Sequence, residues 1–254
     1  MRFRWARSSR GSKPEMHLHL PKPLHGWREL LGEVGIIVVG VLIALGAEQV
    51  VETLHWRSEV ATERHSLLAE AHDAVEGVAF RASQQQCIDR RLAEIHLILE
   101  RNSRGEPLGI IGKVGAPARI SSSHDTWQIA LAGQALSHMP HDEKLKFSDA
   151  FAQFQGWDTA SSKELDMWRE LGPLNDPDLL AEQDWSALRL AYARVVDMNQ
   201  RVGAYAPWLV RTVSNELGLR DISIAGVPGF EALTQQICKP LLQPQSPKTA
   251  SAKL

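Results

Sequence analysis

Apolar residues fall in two distinct patterns along the chain. From Val34 to Ala47 the sequence VGIIVVGVLIALGA is apolar without interruption and uncharged, bracketed by Glu33 and Glu48. Beyond it the apolar positions recur at alternating steps of three and four. Leu68, Ala71, Val75, Val78 and Ala82 form one such series, and Ile88, Leu92, Ile95 and Leu99 resume it. Those steps predict an amphipathic helix from about Ser58 to Arg101, continuous with the apolar run. A stretch with Gly105, Pro107, Gly109, Gly112, Gly115 and Pro117 then reads as a loop, with a short hairpin in LGIIGKVG. Ser121, Ser122 and Ser123 offer caps for a helix carrying Trp127 and Leu131, which Pro140 ends. The next helix, from about His141 to Leu171, presents Phe147, Phe151, Phe154, Leu165 and Trp168, and GPLNDP closes it. The last long helix has the cleanest seam: Leu188, Ala191, Val195, Met198, Val202, Tyr205 and Leu209, a spacing suited to bundle packing. Pro207 is expected to kink or break it. ISIAGVPGFEAL reads as a last turn or short helix. PLLQPQSPKTASAKL reads as a loose tail, because it offers little to bury.

The uncharged run is short for a membrane span, since about 20 apolar residues cross a ~30 Å hydrocarbon core. Leu30, Leu31, Val50, Val51 and Leu54 lengthen it. Trp27 and Trp56 frame it at a helical separation of roughly 43 Å, close to a bilayer with its headgroups. Two alternatives stand beside the span: a buried helix of a soluble protein, and a cleaved signal peptide with Ala44, Gly46 and Ala47 near the cut. The long leader containing proline and the embedded Glu33 speak against the second.

Charge then orients the span. Arg2, Arg4, Arg7, Arg10, Lys13, Lys22 and Arg28 precede it against one acid, Glu15, whereas Glu48, Glu52, Glu59 and Glu63 outnumber Arg57 and Arg64 after it. The positive-inside rule keeps the N-terminus in the cytoplasm and sends the rest across, into the periplasm of a bacterium. The expected fold is mainly α: one N-terminal transmembrane helix followed by an exported helical bundle. Its expected parts are a basic cytoplasmic tail over 1–28, a transmembrane helix over 29–54, a periplasmic helical domain over 55–240 and a flexible tail over 241–254. The chain has 254 residues, 44% hydrophobic and 23% charged, with a net charge of −2. About 190 residues after the span suffice for one sizeable core. The basic tail suits anionic lipid, and the balanced charge gives no case for nucleic acid.

Within the span, Glu33 shares a helical face with Gly40, Ala44, Ala47 and Glu48. Small residues on one face let helices approach closely, so this face is a candidate contact for a homodimer or another membrane protein. The competing reading has Glu33 and Glu48 reaching to opposite headgroup layers.

The sequence GEVGIIVVGVLIALGAEQVVETLHW resembles the N-terminal signature of a family of uncharacterised bacterial single-span membrane proteins. The carrying residues are Gly32, Glu33, Gly40, Ile43, Ala44, Leu45 and Trp56; Ala47, Glu48 and Gln49 depart from the pattern. HDTWQIALAGQALSHMPHDEKLKFSDAF is similar to a second segment of that family, a helix ending in a small-residue turn before another helix. The resemblance covers these two segments and implies a single-span protein with an exported helical domain. It implies no activity.

Candidate chemistry is sparse. Glu52 and His55 form one Glu-x-x-His, where bundle di-iron sites need two with further carboxylates. His138, His141 and Asp142 surround Pro140 as a polar turn, and His65 and His72 belong to a wet helix face. No nucleotide-binding, zinc-protease or serine-hydrolase motif occurs, and no metal or cofactor is expected. Cys87 and Cys238, the two cysteines, are expected to form a disulfide in an oxidising compartment, against the alternative of two buried free thiols. Two functions remain open: an interaction or ligand-sensing module, and a cell-envelope enzyme with an unrecognised site. A pocket lined by His and carboxylates would favour the enzyme, and a dry aromatic core the module.

Overall fold

The computed structural model describes residues 26–121, 123–224 and 229–243 and is mainly helical. It divides into two compact units, residues 1–54 and 55–254. Helix α1 spans Trp27–Ser83 and α2 Gln85–Ser103. After β1 (Ile110–Ile111) come α3 (Asp125–Ala132), α4 (Ala135–His138) and α5 (His141–Arg169). Two 3-10 turns, Gly172–Asn175 and Pro177–Leu179, lead into α6 (Glu182–Leu217), followed by α7 (Phe230–Cys238) and β2 (Leu242–Gln243).

In the first unit the apolar run lies in α1 and every described residue is exposed. Among the described residues this is the one helical stretch long and apolar enough to cross a membrane, a property that a signal sequence near the N-terminus shares. The expected basic tail lies largely outside the described residues.

The second unit has two hydrophobic cores. One joins Leu67, Ala71, Val75 and Val78 of α1 to Trp127 of α3, to Phe147, Phe151, Phe154 and Trp157 of α5, and to Val202, Ala206 and Leu209 of α6. The other joins Ile88, Leu92, Ile95 and Leu99 of α2 to Trp168 and Leu171, to Leu188 and Val195 of α6, and to Ile237 and Leu241. Most of the predicted stripe residues pack in these cores; Leu131, which is exposed, and Leu165 belong to neither.

Several local expectations change. The long predicted helix is interrupted at Gln84, whose side-chain amide donates to the Ala118 carbonyl (2.8 Å) while its oxygen accepts the Ala118 N–H (2.9 Å). Ile110–Ile111 pair antiparallel with Leu242–Gln243 rather than closing a hairpin of their own. This also corrects the start of the expected tail: Leu241 is fully buried and residues 242–243 form a strand. The remainder of that tail lies outside the described residues. The N-terminus of α3 is capped from another helix: the Glu70 carboxylate accepts the N–H groups of Thr126 (3.2 Å) and Trp127 (3.1 Å). Of the serines expected to cap it, Ser123 accepts the Asp125 N–H (3.2 Å), and Ser122 lies outside the described residues. Helix α6 runs through Pro207 without interruption.

Candidate functional site

The residues singled out in the sequence fall in separate places. Glu33, Gly40, Ala44 and Ala47 are exposed on α1, and a Cβ added at Gly40 would meet nothing within 4 Å. Cys87 of α2 and Cys238 at the end of α7 form a disulfide, with Cα atoms 4.8 Å apart across 151 residues of sequence. His138 stacks on Trp56 (ring centroids 4.0 Å, 13° between planes). His72, Asp73 and Glu76 bring potential ligand atoms within 4.8 Å of one another. Two of them are engaged elsewhere: His72 Nε2 donates to the Arg220 carbonyl (3.2 Å), and Glu76 accepts the Ser223 N–H (3.1 Å). His72 and Glu76 fasten the segment after α6 to α1.

The disulfide is one of several fastenings that hold α7 and β2 against α2. Arg91, almost fully buried, donates through its terminal nitrogens to the carbonyls of Lys113, Val114, Gln236, Ile237 and Lys239. Three of these carbonyls belong to the C-terminal end of α7 and the residue after it, where helix carbonyls lack internal partners and a cation is favoured. Burial lowers the Arg91 pKa from its ordinary value, and the Glu94 carboxylate, 3.6 Å from Nε, opposes that shift. At that distance Glu94 makes an ion pair without a hydrogen bond, and Nε has no acceptor among the described residues. Glu94 also accepts the Leu241 N–H (3.0 Å). The 112–118 loop closes on the same assembly: Gly112 donates to the Leu241 carbonyl (2.8 Å), and Val114 donates to the Asn175 side chain (2.8 Å). Gly115 is in the left-handed region (φ +65°), where a side chain is strained, and a Cβ there would stand 3.2 Å from the Gln236 side chain.

Between this loop and α7 runs a groove made of two adjoining hollows of about 560 and 520 Å³ that share Lys113, Ala232 and Gln236. Each falls within the size range of small-ligand sites, ~300–1,000 Å³. Arg91 lines one hollow and Trp168 the other; Lys113, Lys239 and Arg169 add positive charge at the edges. The buried Trp168 Nε1 has no hydrogen-bond partner among the described residues. The described lining residues include no carboxylate and no histidine. Chemically the groove presents cations and amides, a set that receives acidic or carbonyl groups.

Two other polar constellations have structural work. Arg81 and Glu164, both about 1% exposed, form a two-pronged pair (Nε to Oε2 2.9 Å, Nη2 to Oε1 2.5 Å). Arg81 also donates to Asn199 (3.2 Å) and Gln85 (3.2 Å), and Asn199 donates to Asp89 (3.1 Å). This network lies between the two cores along α5 and α6. Gly203 gives Gln85 its room, since a Cβ there would lie 2.7 Å from Gln85 Oε1. His124 pairs with Asp158 (Nε2 to Oδ2 2.8 Å), and Arg119 joins the same carboxylate (3.5 Å). His124 Nδ1 is buried without a hydrogen-bond partner among the described residues. The pair anchors the segment before α3 to α5.

Sequence reasoning missed Arg91, Arg81, Glu164 and Asn199. A signal existed: each stands where an apolar stripe would place a core residue, Arg91 between Ile88 and Ile95, Glu164 between Trp157 and Trp168, Asn199 between Val195 and Val202. No family model, curated protein or solved structure matches the chain.

Proposed function

We propose that this chain is a single-pass inner-membrane protein of a bacterium, with its N-terminus in the cytoplasm and a periplasmic helical domain that serves as an interaction or ligand-sensing module. The observation that carries the reading is the groove beside α7. Its wall is a short C-terminal helix held by a disulfide, by Arg91 and by Glu94, and its lining carries positive charge and no described acid. A disulfide fits an oxidising compartment, and the seven basic residues before the apolar run fit a cytoplasmic N-terminus. The aromatic core of Phe147, Phe151, Phe154 and Trp157 favours a module over an enzyme with its site inside the bundle. The family resemblance at Gly32–Trp56 supports the same single-span arrangement.

In the membrane, the face of Glu33, Gly40, Ala44 and Ala47 pairs with a second copy of the chain or with another membrane protein. Replacing Gly40 and Ala44 with Ile keeps the span apolar and blocks close approach. Crosslinking of the full-length pair of variants is expected to fall while insertion is retained; unchanged crosslinking would remove this contact from the reading.

Topology is tested by fusing, after Leu254, a reporter active only in the periplasm. Activity is expected. Activity of a cytoplasm-only reporter at the same position would overturn the proposal.

A further inference from the structure

The two hollows of the groove beside α7 differ in chemistry. In the first, Lys113, Lys239, Gln235 and Gln236 stand around the buried Arg91. In the second, Ala116, Pro117, Trp168 and Leu233 make much of the wall apolar. Ala232 lines both, so the polar end and the apolar end are continuous.

The charge of the first hollow is gathered rather than scattered. Arg91 donates to the carbonyl of Lys113 (2.6 Å) and to that of Lys239. Two lysines distant in sequence are thereby fixed by their backbones to one guanidinium. Glu94 offsets the charge of Arg91, and Asp166 that of Arg169. Neither Lys113 nor Lys239 has an ion pair among the described residues, and like charges held close oppose one another. The C-terminal end of a helix ordinarily repels an anion through its free carbonyls. Here Arg91 occupies the carbonyls of Gln236, Ile237 and Lys239, which lessens that repulsion.

Two buried donors add to this demand. Arg91 lines the first hollow and Trp168 the second, and both are about 1% exposed. Arg91 Nε and Trp168 Nε1 have no acceptor among the described residues, whereas buried N–H groups are nearly always paired. Unpaired cations and unmet donors both call for acceptor oxygens, and the described lining residues offer no carboxylate.

We propose that the groove binds a small organic acid: an anionic head on an apolar body. The head lies between the ammonium groups of Lys113 and Lys239, with the Gln235 and Gln236 amides beside it. The body lies along Ala232 and Leu233 in the second hollow. The inference rests on reading the groove as the ligand site of the module, and it names the class of ligand.

The test is titration calorimetry on the full-length protein in phosphatidylcholine nanodiscs, with the heat of empty nanodiscs subtracted. The probes are phenylpropionate, its neutral amide phenylpropionamide, and inorganic phosphate as a head without a body. Phenylpropionate is expected to bind roughly tenfold more tightly than either of the others, the scale of one charge-assisted contact. Lys113→Gln with Lys239→Gln should remove the preference for the acid and leave binding of the amide unchanged; both lysines are exposed, so packing is untouched. Ala232→Trp, at an exposed position common to both hollows, should block the acid and the amide alike. Equal binding of acid and amide, abolished by Ala232→Trp, would keep the groove as a ligand site and overturn the anionic head. Phosphate binding as tightly as phenylpropionate would overturn the apolar body. A preference for the acid that survives the paired lysine substitution would place the anion elsewhere and overturn the proposal. Absence of binding by all three probes would overturn both this inference and the groove as a ligand site.

Discussion

The two cores of the helical domain share α5 and α6 and are held by different means. The first is filled by large rings: Trp127 stacks on Phe151 (5.1 Å, 3° between planes), and Phe151 meets Phe154 edge to face (5.7 Å). It draws on α1, α3, α4, α5 and α6, with α2 and the 104–124 segment lying between the first two in the chain. The second core is largely aliphatic, built around Ile88, Ile95, Ile98 and Leu188, and it is completed by Ile237 and Leu241. Ile237 comes from a nine-residue helix, and Leu241 immediately precedes a two-residue strand. Such elements are marginal by themselves in water. The difference teaches where covalent and ionic fastening is needed. Aromatic area suffices for one half; the other half borrows a distant segment and fixes it with a disulfide, with Arg91 on the helix carbonyls, and with Glu94. The groove lies on the fastened half.

The largest expected effect breaks the polar network that lies between the halves. Glu164→Ala leaves the Arg81 charge buried without its counterion and is expected to cost ~3–5 kcal/mol, read as a lowered midpoint in denaturant unfolding of the full chain. Replacing both partners, Arg81→Met with Glu164→Leu, should recover most of the loss, because well-packed apolar residues substitute for a buried pair. Failure of the double variant to recover would show that the network specifies the packing of both halves. Phe151→Ala should follow closely at about 3–5 kcal/mol. Its effect is expected to be the same in oxidised and reduced protein, since Phe151 belongs to the half without the disulfide.

Replacing Cys87 and Cys238 by Ser is expected to cost about 2–4 kcal/mol, within the usual range for closing a long loop. Here the loss should be confined to the second half, with near-UV signals of the aromatic half retained at low denaturant. The smallest effect belongs to Glu143, which the two-pronged contact with Arg64 holds below its ordinary carboxylate range. A carboxylate with a depressed folded pKa stabilises above its ordinary unfolded value of 4.5, and that contribution is lost as pH falls through the lower folded value. Glu143→Gln should therefore flatten the stability profile on the acid side of that value, and the change near neutrality should stay under about 1 kcal/mol for so exposed a pair.

Much of the helical frame was legible in the sequence because apolar spacing repeats over many turns. The α6 seam from Leu188 to Leu209 and the Phe147–Phe151–Phe154 face of α5 are the surfaces that pack. Features set by partners distant in sequence were not legible. Ile110 and Ile111 look like half of a local hairpin, yet their hydrogen-bond partners arrive from residues 242–243, and no local pattern carries that register. Leu241 sits in a segment rich in Pro and Ser, so its burial is visible only once Glu94 and Gly112 hold its backbone. Glu70 caps α3 across 56 residues, and the serines beside the helix point a reader elsewhere. Of the fastenings that hold α7 beside the groove, the cysteines were the readable part. Arg91 was hidden because a cation on an apolar stripe reads as an interruption, whereas its carbonyl partners make the position favourable.

The most direct test of the division between the halves is hydrogen–deuterium exchange on the full-length protein, with the disulfide intact and after reduction. The expected result is local. Amides of α2, of residues 110–114 and of α7 exchange faster on reduction, while those of α1 from Leu67 to Val78 and of α5 from Phe147 to Trp157 keep their protection. A uniform loss of protection across both cores, or no change around α7, would contradict it.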